Sequence, residues 1–198
     1  MNDTPLKIDP KHTALLVMDY QAGIIAMLDQ PDGLIARVAE TIALARRHAV
    51  HVGYVRVAFT DADYEAAPAK SRMAAQVRAA GRALHADVAA TAIDERVAPA
   101  PGEIVVRKIR VGAFSTTDLD AQLREREVDT LILAGISTSG VVLSTVRDGY
   151  DRDYELLVLA DACADREPGV HQFLTEKIFP RQASVITTEE LAATLERG

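Results

Sequence analysis

Three places in this sequence put a chemically active group directly behind an apolar run. LLVM is closed by Asp19, IVVR by Lys108, and TLILAGI opens into the polar turn GISTSG at 135–140, from which VVLSTVRDGY continues as a helix. A carboxylate behind a buried run is a candidate general acid or base, because loss of water around it raises its pKa toward neutrality. An ammonium beside it pulls the other way and keeps both groups charged. A turn that starts a helix offers peptide N–H groups without partners in the helix, and these stabilise an anion or a developing oxyanion. Each residue also has a plain alternative: Asp19 as a solvated strand-end acid or helix cap, Lys108 as a surface lysine flanked by Arg107 and Arg110. Carboxylate, ammonium and helix start make one small-molecule site if the runs before them are parallel strands that end at one edge of a sheet.

The rest of the sequence supplies that sheet. Six short runs rich in Val, Ile and Leu lie at 13–19, 50–59, 103–109, 130–136, 154–162 and 183–188. Their length and continuity suit strands buried on both faces. Helical spacing lies between them. Leu34, Ile35, Val38, Ala39, Ile42 and Ala45 make one apolar face, and Leu119 and Leu123 follow Thr117, with Asp120 placed to complete a cap. Val170, Phe173, Leu174 and Ile178 repeat the pattern, and Thr187 with Glu190 opens a last helix through Leu191 and Leu195. The alternation predicts an α/β fold of three layers, α/β/α and Rossmann-like, on a six-stranded, mainly parallel sheet, with residues 1–198 as a single domain. Residues 60–102 fit less well. The stretch 61–72 reads as a loop and 73–90 as helical, and the whole segment is either a surface excursion or a lid over the site.

Composition narrows the function classes. The chain has 198 residues, with 22 Lys and Arg against 29 Asp and Glu. A net charge of −7, with arginines scattered among acids, argues against nucleic acid, which needs clustered cations. The one cysteine cannot form an internal disulfide or a multi-cysteine zinc site. The opening MNDTPLKIDP lacks the apolar core of a signal peptide, and no apolar run approaches the ~20 residues that cross a bilayer. The expectation is a cytoplasmic protein with a small-molecule substrate and no membrane partner. No GxGxxG follows a strand, so no dinucleotide is expected.

From LLVMDYQ through Lys108 and GAFSTTDLDAQLRE to DTLILAGISTSGVVLSTVRDG and FPRQASVITTEEL, the sequence resembles the isochorismatase-like hydrolase superfamily, in order and spacing, over roughly residues 10 to 195. The resemblance implies the Rossmann-like fold, a hydrolase, and a homo-oligomer, either a dimer or a tetramer. Amidases of that superfamily use an Asp–Lys–Cys triad. Asp19, in a D-x-Q pattern with Gln21, matches the aspartate, and Lys108, ahead of GAF, matches the lysine. Laid without a gap on the amidases' G-V-x-T-x-x-C-V-x-x-T pattern, GISTSGVVLST puts Val141 at the cysteine. The only cysteine, Cys163, falls in LADACAD behind the next strand and reads as a small buried thiol. Valine carries no nucleophile, so a thiolate acyl-enzyme route is not expected. Isochorismatases also lack that cysteine, typically having glycine. Resemblance to them implies that the aspartate protonates a vinyl-ether carbon and water captures the oxocarbenium ion. The family also implies a cis peptide before Ser137.

Other chemistries find less support. The D-x-H…H zinc site of the superfamily's nicotinamidases would fall in VRVAFTDADYEAAPAK, which contains Asp61 and Asp63 but no histidine, so neither metal nor cofactor is expected. GISTSG misses the nucleophile-elbow pattern at Ser139, and Ser137, Asp161 and His171 have the chain order of a hydrolase triad and nothing more. The expected site therefore has Asp19 as acid or base and Lys108 tuning it or holding a substrate carboxylate. Peptide N–H groups across Ser137, Thr138, Ser139, Gly140 and Val141 would meet negative charge, Phe59 and Phe114 would form apolar walls, and Gln21 would orient the aspartate. Two competing expectations stay open. One is a catalytically silent relative that binds a small metabolite or acts as a scaffold, and the other is amide or ester hydrolysis by water that Asp19 activates directly.

Overall fold

The computed structural model describes residues 7–197. Gly198 and the first six residues, which make up most of the MNDTPLKIDP stretch, lie outside them. Strands β1 (Thr13–Met18), β2 (His51–Val57), β3 (Ile104–Lys108), β4 (Thr130–Ile136), β5 (Glu155–Ala164) and β6 (Ser184–Ile186) form one sheet in the order β3-β2-β1-β4-β5-β6. Every neighbouring pair is parallel. The chain steps outward from β1 to β3, returns to β4 beside β1, and steps outward again to β6. The order thus reverses between β1 and β4, and the crevice beyond the carboxyl ends of those strands is where such sheets bind ligands.

The layers follow from side-chain alternation along each strand. Leu16 and Met18 join Val106, Leu133 and Val146 beneath helices α5 (Leu119–Glu125) and α6 (Leu143–Tyr150). Leu15 and Val17 face the opposite way and join Ile35, Val38, Ile42, Leu157 and Leu191 beneath α2 (Asp32–Arg47) and α8 (Thr188–Leu195). β1 and β4 are buried along their whole length. The outer strand β3 instead alternates buried Ile104, Val106 and Lys108 with exposed Val105 and Arg107, so burial on both faces does not extend to it.

Local chemistry departs from the sequence reading at three helices. Thr117 and Asp120 make no capping box. The Thr117 hydroxyl accepts from Leu119 N–H at 3.2 Å and donates to Ala113 O, while Asp120 accepts from the Tyr154 hydroxyl. The apolar series from Val170 to Ile178 is broken by a change of pitch. Helix α7 (Pro168–Phe173) passes into a wider π turn over Leu174–Ile178, which buries Leu174 but leaves Val170 and Phe173 exposed. The third departure is α3 (Asp61–Glu65), a helix where a loop was expected, started by a capping box between Thr60 and Asp63. After it, α4 (Arg72–Ala79) is the only full helix of the stretch read as helical, and short 3-10 turns carry the chain to residue 97. The Thr187–Glu190 capping box of α8 forms as expected.

Gly135, near the end of β4, is a point where backbone and neighbouring side chains meet closely. A Cβ there would lie 2.8 Å from Val142 Cγ2 and 3.3 Å from Met18 Cβ. Gly135→Ala is expected to overpack the junction of β1, β4 and α6 and lower stability by about 1–3 kcal/mol. Urea unfolding checks this through a lower midpoint at unchanged slope.

Candidate active site

β1 ends abruptly at Asp19. Its backbone has φ +60°, a left-handed conformation in which aspartate is among the better-tolerated residues. Its N–H still donates to Val55 O at 2.8 Å, and Gln21 N–H turns back to its carbonyl at 2.8 Å. The carboxylate therefore stays at the sheet edge. Lys108 ends β3, two strands away, in register with Val57 of the intervening β2. Its long side chain brings Nζ to 2.8 Å from Asp19 Oδ2, and both side chains are almost wholly buried.

The two partners are satisfied unequally. A lysine ammonium has three N–H bonds to give. Lys108 places them on Asp19 Oδ2, on Val111 O at 3.0 Å and on Arg110 O at 3.3 Å. Asp19 Oδ1 is buried with no hydrogen-bond partner among the described residues. Burial raises the Asp19 pKa, the Lys108 charge and hydrogen bond oppose that rise, and the net result is a carboxyl pushed up to about 6. A carboxyl held there is a candidate for proton transfer, and its Oδ1 is free of other hydrogen bonds among the described residues.

The pair lines a cavity of about 300 Å³. Ile24, Met27 and Leu28 around α1 (Ala22–Ile25), Val57, Val111, Ile136, Val141 and Met73 of α4 give it apolar walls. Ser137 and Gly140 complete the lining with Arg110 and Arg166, which follow β3 and β5. Met73 is the contribution of the 60–102 segment. Gln21 ties the far end of that segment to the sheet: its amide donates to Val57 O at 2.8 Å and Thr91 O at 2.7 Å and accepts from Val57 N–H at 2.7 Å. Gln21 therefore holds backbone beside Asp19 and does not line the cavity.

The turn after β4 is only partly as expected. The Ile136–Ser137 peptide is cis, and Ser137, Gly140 and Val141 line the cavity, but Thr138 and Ser139 do not. Two of the N–H groups expected to meet negative charge are already engaged, Ser139 with Asp165 Oδ2 at 2.8 Å and Gly140 with Ser137 O at 3.2 Å. The Thr138 hydroxyl pairs with His171 Nδ1 at 2.8 Å, and burial lowers the His171 pKa.

The expected aromatic walls are absent from the cavity. Phe114 is buried in the core and stacks on Tyr154 with 5.9 Å between ring centroids, and Phe59 packs against Tyr64 at 5.7 Å. Aliphatic and methionine side chains from α1, α4 and the strand ends take their place. The Ser137–Asp161–His171 order assembles no triad, because Asp161 binds Thr188 and Arg37. Cys163 lies buried on β5, donates to Leu133 O, and has its thiol pushed up to about 12 by burial. No thiol is found among the described residues that line the cavity. Among the described residues no cluster of three or more His, Cys, Asp or Glu is arranged to hold a metal ion, and no helix is long and apolar enough to cross a membrane.

Comparison with known proteins places this geometry in context. A family model described as the isochorismatase domain matches residues 13–190. The isochorismatase family protein YwoC of Bacillus subtilis (strain 168) is 32% identical over 185 residues, 93% of this chain and 95% of its own. The ureidoacrylate amidohydrolase RutB of Methylobacterium radiotolerans is 33% identical over 83% of this chain and 71% of its own. The phenazine biosynthesis protein PhzD1 of Pseudomonas aeruginosa is 32% identical over 93% and 86%. Among solved structures, an isochorismatase family protein from Burkholderia thailandensis superposes with a TM-score of 0.84 at 28% identity, over 98% of this chain and 100% of that one.

The unequal pair makes a prediction about stability. Because Asp19 binds its proton more tightly folded than unfolded, its contribution is full below the unfolded value of 3.8 and is lost as pH rises through about 6. Lys108→Met removes the charge that holds the carboxyl down, so the loss should grow and extend to higher pH. Urea midpoints at pH 5 and pH 8 are expected to differ more in the variant than in the parent. Equal differences would mean that Lys108 does not control the carboxyl.

Proposed function

The chain belongs to the isochorismatase family of hydrolases, and from that premise we propose that it hydrolyses a small organic metabolite by acid–base chemistry at Asp19, without a thiol nucleophile, in a vinyl-ether hydrolysis. The observation that carries this reading is the buried Asp19 carboxyl, with Oδ1 unpartnered among the described residues, set in a cavity whose described lining holds no thiol. Val141 stands where the family's amidases carry their cysteine, and its side chain is one of the apolar walls.

The chemistry follows from the geometry. Protonated Asp19 gives its proton to the terminal vinyl carbon, and the ether oxygen stabilises the oxocarbenium ion that forms. A water molecule adds to that cation and returns a proton to the Asp19 carboxylate. The hemiketal then breaks into a ketone and an alcohol. Lys108, 2.8 Å away, stabilises the carboxylate left after the first transfer. The apolar walls exclude bulk water and keep the acid's pKa high. A positioned acid of this kind contributes ~10²–10⁴ in rate.

A second reading has the likeness to the amidohydrolase RutB in its favour: amide hydrolysis by a water that ionised Asp19 deprotonates. Without a covalent step to divide the barrier, this route is slow on unactivated amides. The two readings need Asp19 in opposite protonation states, so pH separates them.

The test is release of pyruvate from isochorismate by purified protein, with Asp19→Asn alongside. The parent is expected to release pyruvate with kcat/KM falling as pH rises above about 6, where Asp19 loses its proton, and the variant to lose about 10²-fold or more. Activity that rises through the same pH would favour the base. Absence of pyruvate from the parent would retire the vinyl-ether chemistry.

A further inference from the structure

Sulfur is distributed unevenly in this molecule. The described residues hold it at Met18, Met27, Met73 and Cys163. Met18 is fully buried on β1, and Cys163 is buried on β5 with its thiol pushed up to about 12, so neither meets an oxidant from solvent. Met27, just after α1, is 53% exposed, and Met73, on α4, is half-buried. Both line the cavity that holds Asp19. We propose that Met27 and Met73 are sites of oxidation by hydrogen peroxide, and that their sulfoxides weaken the cavity's hold on apolar ligands. The inference rests on the proposed reading of this cavity as the substrate's and adds a chemical control over it.

The reaction needs no activated group. A thioether has no proton to lose, so its sulfur is nucleophilic without the ionisation that a thiol requires. The sulfur lone pair attacks one peroxide oxygen and the O–O bond breaks. The proton on the transferred oxygen passes to the departing one, which leaves as water. Sulfur loses two electrons, the peroxide gains them, and the products are one sulfoxide and one water. Exposure then selects the site, and exposure is what separates Met27 and Met73 from Met18.

The rest of the lining decides what oxidation does. Ile24, Leu28, Val57 and Val141 share it, and their side chains offer no hydrogen bonds. A thioether suits such a wall, being apolar and flexible. A sulfoxide oxygen is polar and holds water. An apolar ligand that covers it removes that water without replacing its hydrogen bonds, which costs affinity. The two methionines sit on separate elements, one following β1 and the other in the 60–102 segment, so both sides of the entrance change together.

Toluene, which neither gives nor accepts a hydrogen bond, is the probe, and its binding is read as the rise in Tm it causes. The full chain is compared before and after hydrogen peroxide, with peptide mass spectrometry locating each added oxygen. Sulfoxide is expected at Met27 and Met73 and not at Met18, and the treated protein is expected to bind toluene about tenfold more weakly. The unliganded Tm verifies that the treated protein is folded. In Met27→Leu/Met73→Leu, toluene affinity should be the same before and after treatment, because Met1, Met18 and Cys163 remain and the two cavity sulfurs do not. Four results would each overturn the proposal: Met18 oxidised as readily as the other two, no toluene shift in the untreated parent, undiminished binding after oxidation, or an equal loss in the leucine variant. The readout needs no turnover, so its failure leaves the chemistry at Asp19 untouched, and failure of the vinyl-ether assay leaves this result standing.

Discussion

The structure turns on one ion pair that is buried and unevenly satisfied. Taking a carboxylate and an ammonium out of water costs several kcal/mol for each ion, and their attraction repays this only when the remaining donors and acceptors are filled. Lys108 meets that condition and Asp19 does not: the ammonium has three acceptors, while Oδ1 of the acid has no donor among the described residues. The imbalance leaves a lysine whose donors are all engaged beside an aspartate whose carboxyl is pushed up to about 6 by burial. A fully satisfied pair would hold the same shape with far less capacity for proton transfer.

The fold serves to bring those groups together. Reversal of strand order at β1 and β4 opens the crevice, the abrupt end of β1 leaves Asp19 in it, and the parallel register of β2 and β3 sets Lys108 level with Val57. Gln21 then fastens Val57 to Thr91, so the strand between the two charged residues and the segment beyond it are held by one side chain. The close approach of Gly135 to Met18 and Val142 brings the turn that carries Val141 against the same edge.

What was legible in the sequence was whatever depends on local pattern. Apolar runs located every strand, and the polar residue behind each run located Asp19 and Lys108, because in a parallel sheet those positions gather at one edge by construction. The same rule extended one residue past ADACAD reaches Arg166, another residue of the cavity lining. Met73, Ile24 and Leu28 were not legible: they sit on, or just after, short helices whose placement is decided by tertiary packing. Phe114 misled for a related reason. An aromatic residue six positions after the site lysine is as well placed for the core as for a wall, and Tyr154 on the neighbouring element takes it into the core. The partly engaged N–H groups of the 137–141 turn depended on Asp165, a partner 26 residues from Ser139 that no local motif announces.

These features describe a hydrolase of the isochorismatase family whose reactivity we attribute to a single desolvated acid. Direct titration of the Asp19 carboxyl carbon by NMR, assigned by loss of its signal in Asp19→Asn, tests that attribution most closely. The account predicts a midpoint of about 6. A midpoint at or below the ordinary aspartate value of ~4 would mean that the carboxyl stays ionised at neutral pH, and would contradict it.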